Sequence, residues 1–223
     1  MLDESGTTVG APARPHRPAL PARLVLGAAC CATGAALVAH FLLGLPLMVL
    51  VLTTAVLAVA AWAVVLRRLD PAVRAVVARR ARIGCLAGVP ALVAYDLSRW
   101  LLVEATSSPI RPFEAWRAFG ELLGAGDRAG DAAFAAGFAF HVVNGLSFAT
   151  AFGVVLAHRG VLAGIAWGLL LETAMVTFYP GWLGLKALEE FVSITVVGHV
   201  VYGATLGGLA LRGWRRYVAD VSA

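Results

Sequence analysis

Long apolar runs alternate along the chain with short clusters of charge. Six runs approach or exceed the roughly 20 residues a helix needs to cross about 30 Å of hydrocarbon. They are Leu24 to Leu43, Leu47 to Leu66, Ile83 to Val103, Ala132 to Ala157, Val161 to Phe178 and Phe191 to Leu211. Apart from 67–82 and 104–131 the connections are short, which makes sequential helices antiparallel neighbours. The pattern predicts an all-α polytopic membrane protein, one bundle of six transmembrane helices over 23–216, with no separate soluble domain. Residues 1–22 carry Pro12, Pro15, Pro18 and Pro21 and too little apolar surface to fold, so they read as a disordered tail. Residues 217–223 read as a second short tail. The first apolar run continues through Leu43 with no polar stretch for cleavage, so it is expected to be an uncleaved span and not a signal peptide.

Finer periodicity adds detail. In 67–82 the arginines alternate with Ala and Val, which predicts a short amphipathic helix on the membrane surface. In 104–131, Phe113, Trp116, Phe119 and Leu123 recur at near-helical spacing against Glu114, Arg117 and Glu121; an interfacial helix over the outer mouth follows. Pro90, after Gly84 and Gly88, predicts a kink in the third span. Small residues at four-residue steps let helix backbones approach closely. Gly160, Gly164 and Gly168 form such a face below Glu172, and Ala28, Ala32 and Ala36 form another, suited to a second copy or a membrane-complex partner.

Composition agrees: 60% of residues are hydrophobic and the mean hydropathy is +0.83, against roughly 45–50% apolar residues in a soluble domain. The net charge of +5 does not point to nucleic acid, because nothing aromatic is interleaved with the arginines of 67–82. Its distribution is the informative part. Arg14, Arg17, Arg23, Arg67, Arg68, Arg74, Arg79, Arg80, Arg82, Arg159, Arg212, Arg215 and Arg216 fall on one side of the proposed membrane, and only Arg111, Arg117, Arg128 and Lys186 on the other. Lys/Arg excess marks the cytoplasmic face, so both termini are expected inside, with the lipid bilayer as the principal partner. Seventeen of the eighteen basic residues are arginine, and with abundant Ala and Gly this suggests a bacterial, GC-rich genome and hence a bacterial cytoplasmic membrane. Cys30, Cys31 and Cys85 form neither a CxxC nor a zinc-ribbon pattern and read as apolar thiols.

The candidate chemistry lies inside the spans. At about 1.5 Å of rise per residue, Asp96, His141, Glu172 and His199 all fall within about 5 Å of their spans' midplanes. They come from four different helices. A charged group facing lipid there costs several kcal/mol, so these side chains should turn inward and meet. Arg99 shares a helix face with Asp96. Asn144 and Tyr202 lie about a turn away and suit helix-bridging hydrogen bonds, while spans one and two contribute almost nothing to the layer. Three readings follow. The leading one is translocation of a small solute or of protons, or support of it, through Asp96, Arg99, His141, Asn144, Glu172, His199 and Tyr202. The alternative is a cofactor protein or intramembrane enzyme, with His141, Glu172 and His199 as an N,N,O metal site or the two histidines on a haem. A structural or substrate-binding subunit of a membrane complex is the third. The chain has no GxSxG elbow, Walker loop or DxxxD pair, which argues against hydrolase, ATPase and prenyltransferase activity.

The His141–Asn144 element, Trp167-Gly168-Leu169, Pro180-Gly181, and the glutamates followed by Gly198-His199 together resemble the second half of YagU-type bacterial inner-membrane proteins. The resemblance covers about the last third of the chain; Tyr202-Gly203 and the first two spans do not match it. It implies an inner-membrane placement and, through the family's bacterial namesake, a connection with acid tolerance.

Overall fold

The apolar runs fold as helices. A computed structural model gives the fold of residues 20–108, 111–178 and 188–222, with the side chains of 178 and 188–193 left out of the description. Its elements are α1 (Leu20–Cys30), α2 (Ala32–Leu43), α3 (Leu47–Arg68), α4 (Pro71–Thr106), α5 (Glu114–Leu122), α6 (Asp131–Leu156), α7 (Val161–Phe178) and α8 (Leu188–Ser222). Most of tail 1–22, together with Pro180-Gly181 and Lys186, lies outside the described residues, so those expectations have no structural counterpart.

A row of packed helices forms the centre. α7 packs on α8, α8 on α4, and α4 on α6; α5 covers one end of α6, while α1 and α2 lie between α6 and α3. The largest buried cluster sits where α4, α6 and α8 meet and includes Tyr95, Phe152, Tyr202 and Leu206. The α4–α6 crossing needs glycine on both sides, because a Cβ on Gly84 or Gly153 would run into the other helix's backbone. By contrast, α3 turns an almost wholly apolar face outward, with Val56 68% and Val59 69% exposed. Such a face is unfavourable in water and at ease in lipid. Four helices among the described residues, α3, α4, α6 and α8, are long and apolar enough to cross a bilayer, and the α1–α2 pair makes a fifth if its bent halves count as one. α7 is also apolar, and shorter.

The structure departs from the sequence expectations in three places. The first span is broken at Cys31, where α1 and α2 meet at 59°. No Gly or Pro marks the break. It follows the contacts with α6: Gly27 lies against Val155, Gly34 against the Phe148 ring, and Thr33 donates to Asn144. The break also splits the Ala28, Ala32 and Ala36 face, whose last member is fully buried. Second, the arginine-rich 67–82 segment is not a separate surface helix. Asp70-Pro71 starts α4, with proline in the first turn where its missing N–H is harmless. Buried Val73, Val77 and Arg80 then continue the face carried on by Ile83, Gly84 and Ala87. Finally, α8 continues past Arg212 to Ser222 where a tail was expected, with Trp214 and Tyr217 in ring contact. The helix expected in 104–131 is present as α5, and its Trp116 and Phe119 are buried.

Candidate functional site

The α7–α8 packing sets up half of the site. Cβ atoms on Gly164 and Gly168 would collide with the carbonyls of Gly203 and His199, and one on Gly207 with that of Gly160. Each four-residue step along α7 is therefore matched by a four-residue step back along α8. The next step of this ladder places Glu172 opposite Thr195, whose Oγ1 donates to Glu172 Oε1 at 2.6 Å. Glu172 and Thr195 are 3% and 1% exposed. His199, one turn along α8, brings Nδ1 to 2.7 Å from Glu172 Oε2 and 2.9 Å from the Thr195 carbonyl. Only the carbonyl contact has hydrogen-bond geometry, since Glu172 Oε2 makes no hydrogen bond. The carboxylate is thus a charge partner beside the ring. Both neighbours of Nδ1 are acceptors, which assigns its proton to Nδ1 and leaves Nε2 as the second protonation site.

The other half of the site is built by α4 and α6. His141 Nε2 lies 3.0 Å from Asp96 Oδ2, so Nε2 carries the proton toward the carboxylate and Nδ1 is the second site. Arg99 follows Asp96 on the same face, with Nη1 3.8 Å from Oδ1. It is only 3% exposed, its Nη2 donates to the Pro112 carbonyl at 2.5 Å, and its guanidinium lies 5.0 Å from the centre of the Tyr95 ring. Tyr95 joins the two halves, with its ring centroid 5.9 Å from that of His141 and 4.9 Å from that of His199.

All seven residues expected from the sequence gather in this region, in distinct roles. Asp96, His141, Glu172 and His199 do not form one four-membered cluster. They make two carboxylate–imidazole pairs, because neighbouring helices α4 and α6 hold one and α7 and α8 the other. Asn144 and Tyr202 bridge helices: Asn144 Oδ1 accepts from Thr33 Oγ1 at 2.7 Å, and Tyr202 Oη donates to the Gly145 carbonyl at 2.8 Å. Thr33 and Cys31 bring the first span into the site, contrary to the expectation that it contributes almost nothing. The expected metal set is divided, since His141 belongs with Asp96 and not with Glu172. Among the described residues no three His, Cys, Asp or Glu side chains converge to hold an ion. The shared neighbour of the two imidazoles is Tyr95.

A cavity of about 300 Å³ lies among these groups. His141, His199, Tyr95 and Arg99 line it, whereas Asp96 and Glu172 stand behind their histidines and do not. α5 lines it with Trp116 and Phe119, and α2 and α7, which barely touch one another, contribute to its walls as well. Each histidine therefore meets the cavity with a carboxylate beside it, hydrogen-bonded at His141 and a charge partner at His199. Tyr95 and Thr195 are the parts that sequence reasoning passed over, while Trp116 was expected in the covering helix and not among the site residues. Neutral side chains carry no cost of charge burial and so give no signal of their own.

Residues 78–215, more than half of the chain, match a family described as a family of unknown function (DUF6789). Neither the curated proteins nor the solved structures yield a match.

Proposed function

We propose, from the premise that the chain belongs to the DUF6789 family and that this family has no known function, that it translocates a small solute together with protons. The observation that carries this reading is the pair of histidines lining one cavity, each backed by a carboxylate, Glu172 buried and Asp96 half-buried. Intramembrane Asp, Glu and His residues are costly to keep and mark ion and proton pathways. A proton arriving at His199 Nε2 makes an imidazolium whose charge Glu172 offsets, and Asp96 does the same for His141. Tyr95, in ring contact with both, spans the distance between the two sites. The cavity holds the solute beside them.

In this reading the α1–α2 pair, α3, α4, α6, α7 and α8 each cross once. α7, at about 27 Å for 18 residues, reaches nearly across the hydrocarbon. Six crossings put both termini on one face, and the arginine distribution makes that face cytoplasmic. The membrane is then a bacterial inner membrane, in keeping with the likeness of the last third to YagU-type proteins.

Proteoliposomes carrying an internal pH indicator test the proposal. With a membrane potential imposed, the wild-type protein acidifies or alkalinises the lumen. Glu172→Gln keeps an acceptor for Thr195 but loses the charge that offsets imidazolium, so flux is expected to vanish while the helical circular-dichroism spectrum is unchanged. Undiminished flux in this variant, or none in the wild type with any candidate solute, rejects the proposal.

A further inference from the structure

The two histidines on the cavity wall each commit one ring nitrogen to the protein, His141 Nε2 to Asp96 and His199 Nδ1 to the Thr195 carbonyl. Their other nitrogens, His141 Nδ1 and His199 Nε2, have no hydrogen-bond partner among the described residues. Unlike Arg99 Nε and Trp116 Nε1, which are sealed inside the wall, they open onto the cavity. With the tautomers that their neighbours assign, both are acceptors. A ligand held at either one therefore brings a donor. The Asn144 amide, its oxygen already engaged by Thr33, adds neutral N–H groups to the wall but no charge.

Charge narrows the kind of donor. The titratable and charged groups around His199 are Glu172 on α7, Tyr95, Asp96 and Arg99 on α4, His141 on α6 beyond Tyr95, and Tyr202 on its own helix. With the imidazoles neutral, the fixed charges are two carboxylates against one guanidinium. Arg99 Nη1 faces Asp96 at 3.8 Å. Glu172 is 3% exposed, and among the described residues its only ion-pair partner is His199. A buried charge with no counter-charge is costly, so this end of the cavity is short of one positive charge.

We infer that the ligand is a small primary ammonium ion with an apolar tail, which donates to His199 Nε2 and supplies the charge that Glu172 lacks. The Trp116 and Phe148 rings on the lining favour a cation, and Leu37, Val38, Leu171 and Met175 offer the tail an apolar wall. The volume of about 300 Å³ is room for roughly ten water-sized groups. Glu172 offsets one positive charge, so a proton on His199 and the ammonium group take turns. As the ammonium group enters and donates to Nε2, the proton there leaves for water. The inference names the solute class and so rests on the translocation reading, but binding tests it separately.

The probes are hexylammonium, hexanol and hexanoate, titrated calorimetrically into the full-length protein in nanodiscs of zwitterionic lipid, with empty nanodiscs as the blank. Hexylammonium is expected to bind wild type at least about tenfold more tightly than hexanol, the usual scale of a hydrogen bond to a charged group, and hexanoate more weakly than either. Its affinity should fall as the pH is lowered, because protons take Nε2, while that of hexanol stays level. Glu172→Gln keeps an acceptor for Thr195 and removes the charge; it should weaken hexylammonium about tenfold or more and leave hexanol as it was. Hexanol or hexanoate binding to wild type as tightly as hexylammonium overturns the inference, and this comparison needs no variant to fold. So does hexylammonium affinity that is indifferent to pH, or one that folded Glu172→Gln retains in full. Hexylammonium binding without flux sinks the translocation reading alone; flux without an ammonium preference sinks this inference alone.

Discussion

Arg80 illustrates how one side chain anchors the basic end of the bundle. It is 4% exposed, its Nη1 donates to the Val154 carbonyl at 2.9 Å, Nη2 lies 3.2 Å from His158 Nδ1, and its plane sits 4.3 Å from the centre of the Trp214 ring. The last turn of α6 leaves carbonyls with no partner inside the helix, and a cation there also meets the negative end of the helix dipole. Arg23 reaches the same carbonyl through Nε at 3.1 Å and bonds that of Val155 as well. Lysine would keep the charge at position 80 but lose both the fork and the flat face. Arg80→Lys is therefore expected to destabilise the protein by about 1–3 kcal/mol, read as a lowered thermal unfolding midpoint in detergent. Arg82→Lys, on the exposed side of α4, should leave that midpoint unmoved.

At the scale of elements, the glycine ladder between α7 and α8 determines whether Glu172 and His199 meet at all. An added methyl at Gly168 points at the His199 carbonyl, so the two helices must part next to the pair they position. Overpacking of this kind costs about 1–3 kcal/mol. Gly168→Ala should lower thermal stability by that order and reduce proton flux together. Gly208 on the same helix is the control, since its Cβ would meet only Val161 Cγ2, at an ordinary 3.5 Å. Gly208→Ala should leave both measurements intact. If Gly168→Ala does too, the ladder is not what sets the pair's geometry.

For the whole molecule, the quantity to test is the number of crossings. Single cysteines at Gly126, in the connection after α5, and at Asp220, near the end of α8, can be introduced once Cys30, Cys31 and Cys85 are replaced. Six crossings with cytoplasmic termini predict that Gly126→Cys reacts with a membrane-impermeant maleimide in intact cells. Asp220→Cys should react only after lysis. Labelling of both from outside would remove the six-span topology, and with it the outer placement of α5.

The sequence by itself determined the helical class, the limits of α3, α6 and α7 and the residues worth following. The bounds of α6 and α7 fall within a residue of the expected spans, because uninterrupted apolar runs end there in polar and glycine-bearing turns that a helix does not cross. Asp96, His141, Glu172 and His199 were legible because ionisable groups in apolar runs are costly wherever they face lipid. The glycine face below Glu172 was legible for a similar reason, as four-residue spacing of small residues permits only a few packings. Tertiary structure alone decided which carboxylate takes which imidazole. Position along a chain gives depth in a membrane, but pairing depends on which helix lies beside which and how each is rotated, and those follow from packing over the whole bundle. The same holds for the break at Cys31, imposed by contacts with α6, and for Tyr95, Thr195 and Trp116, whose part in the site arises only from what surrounds them.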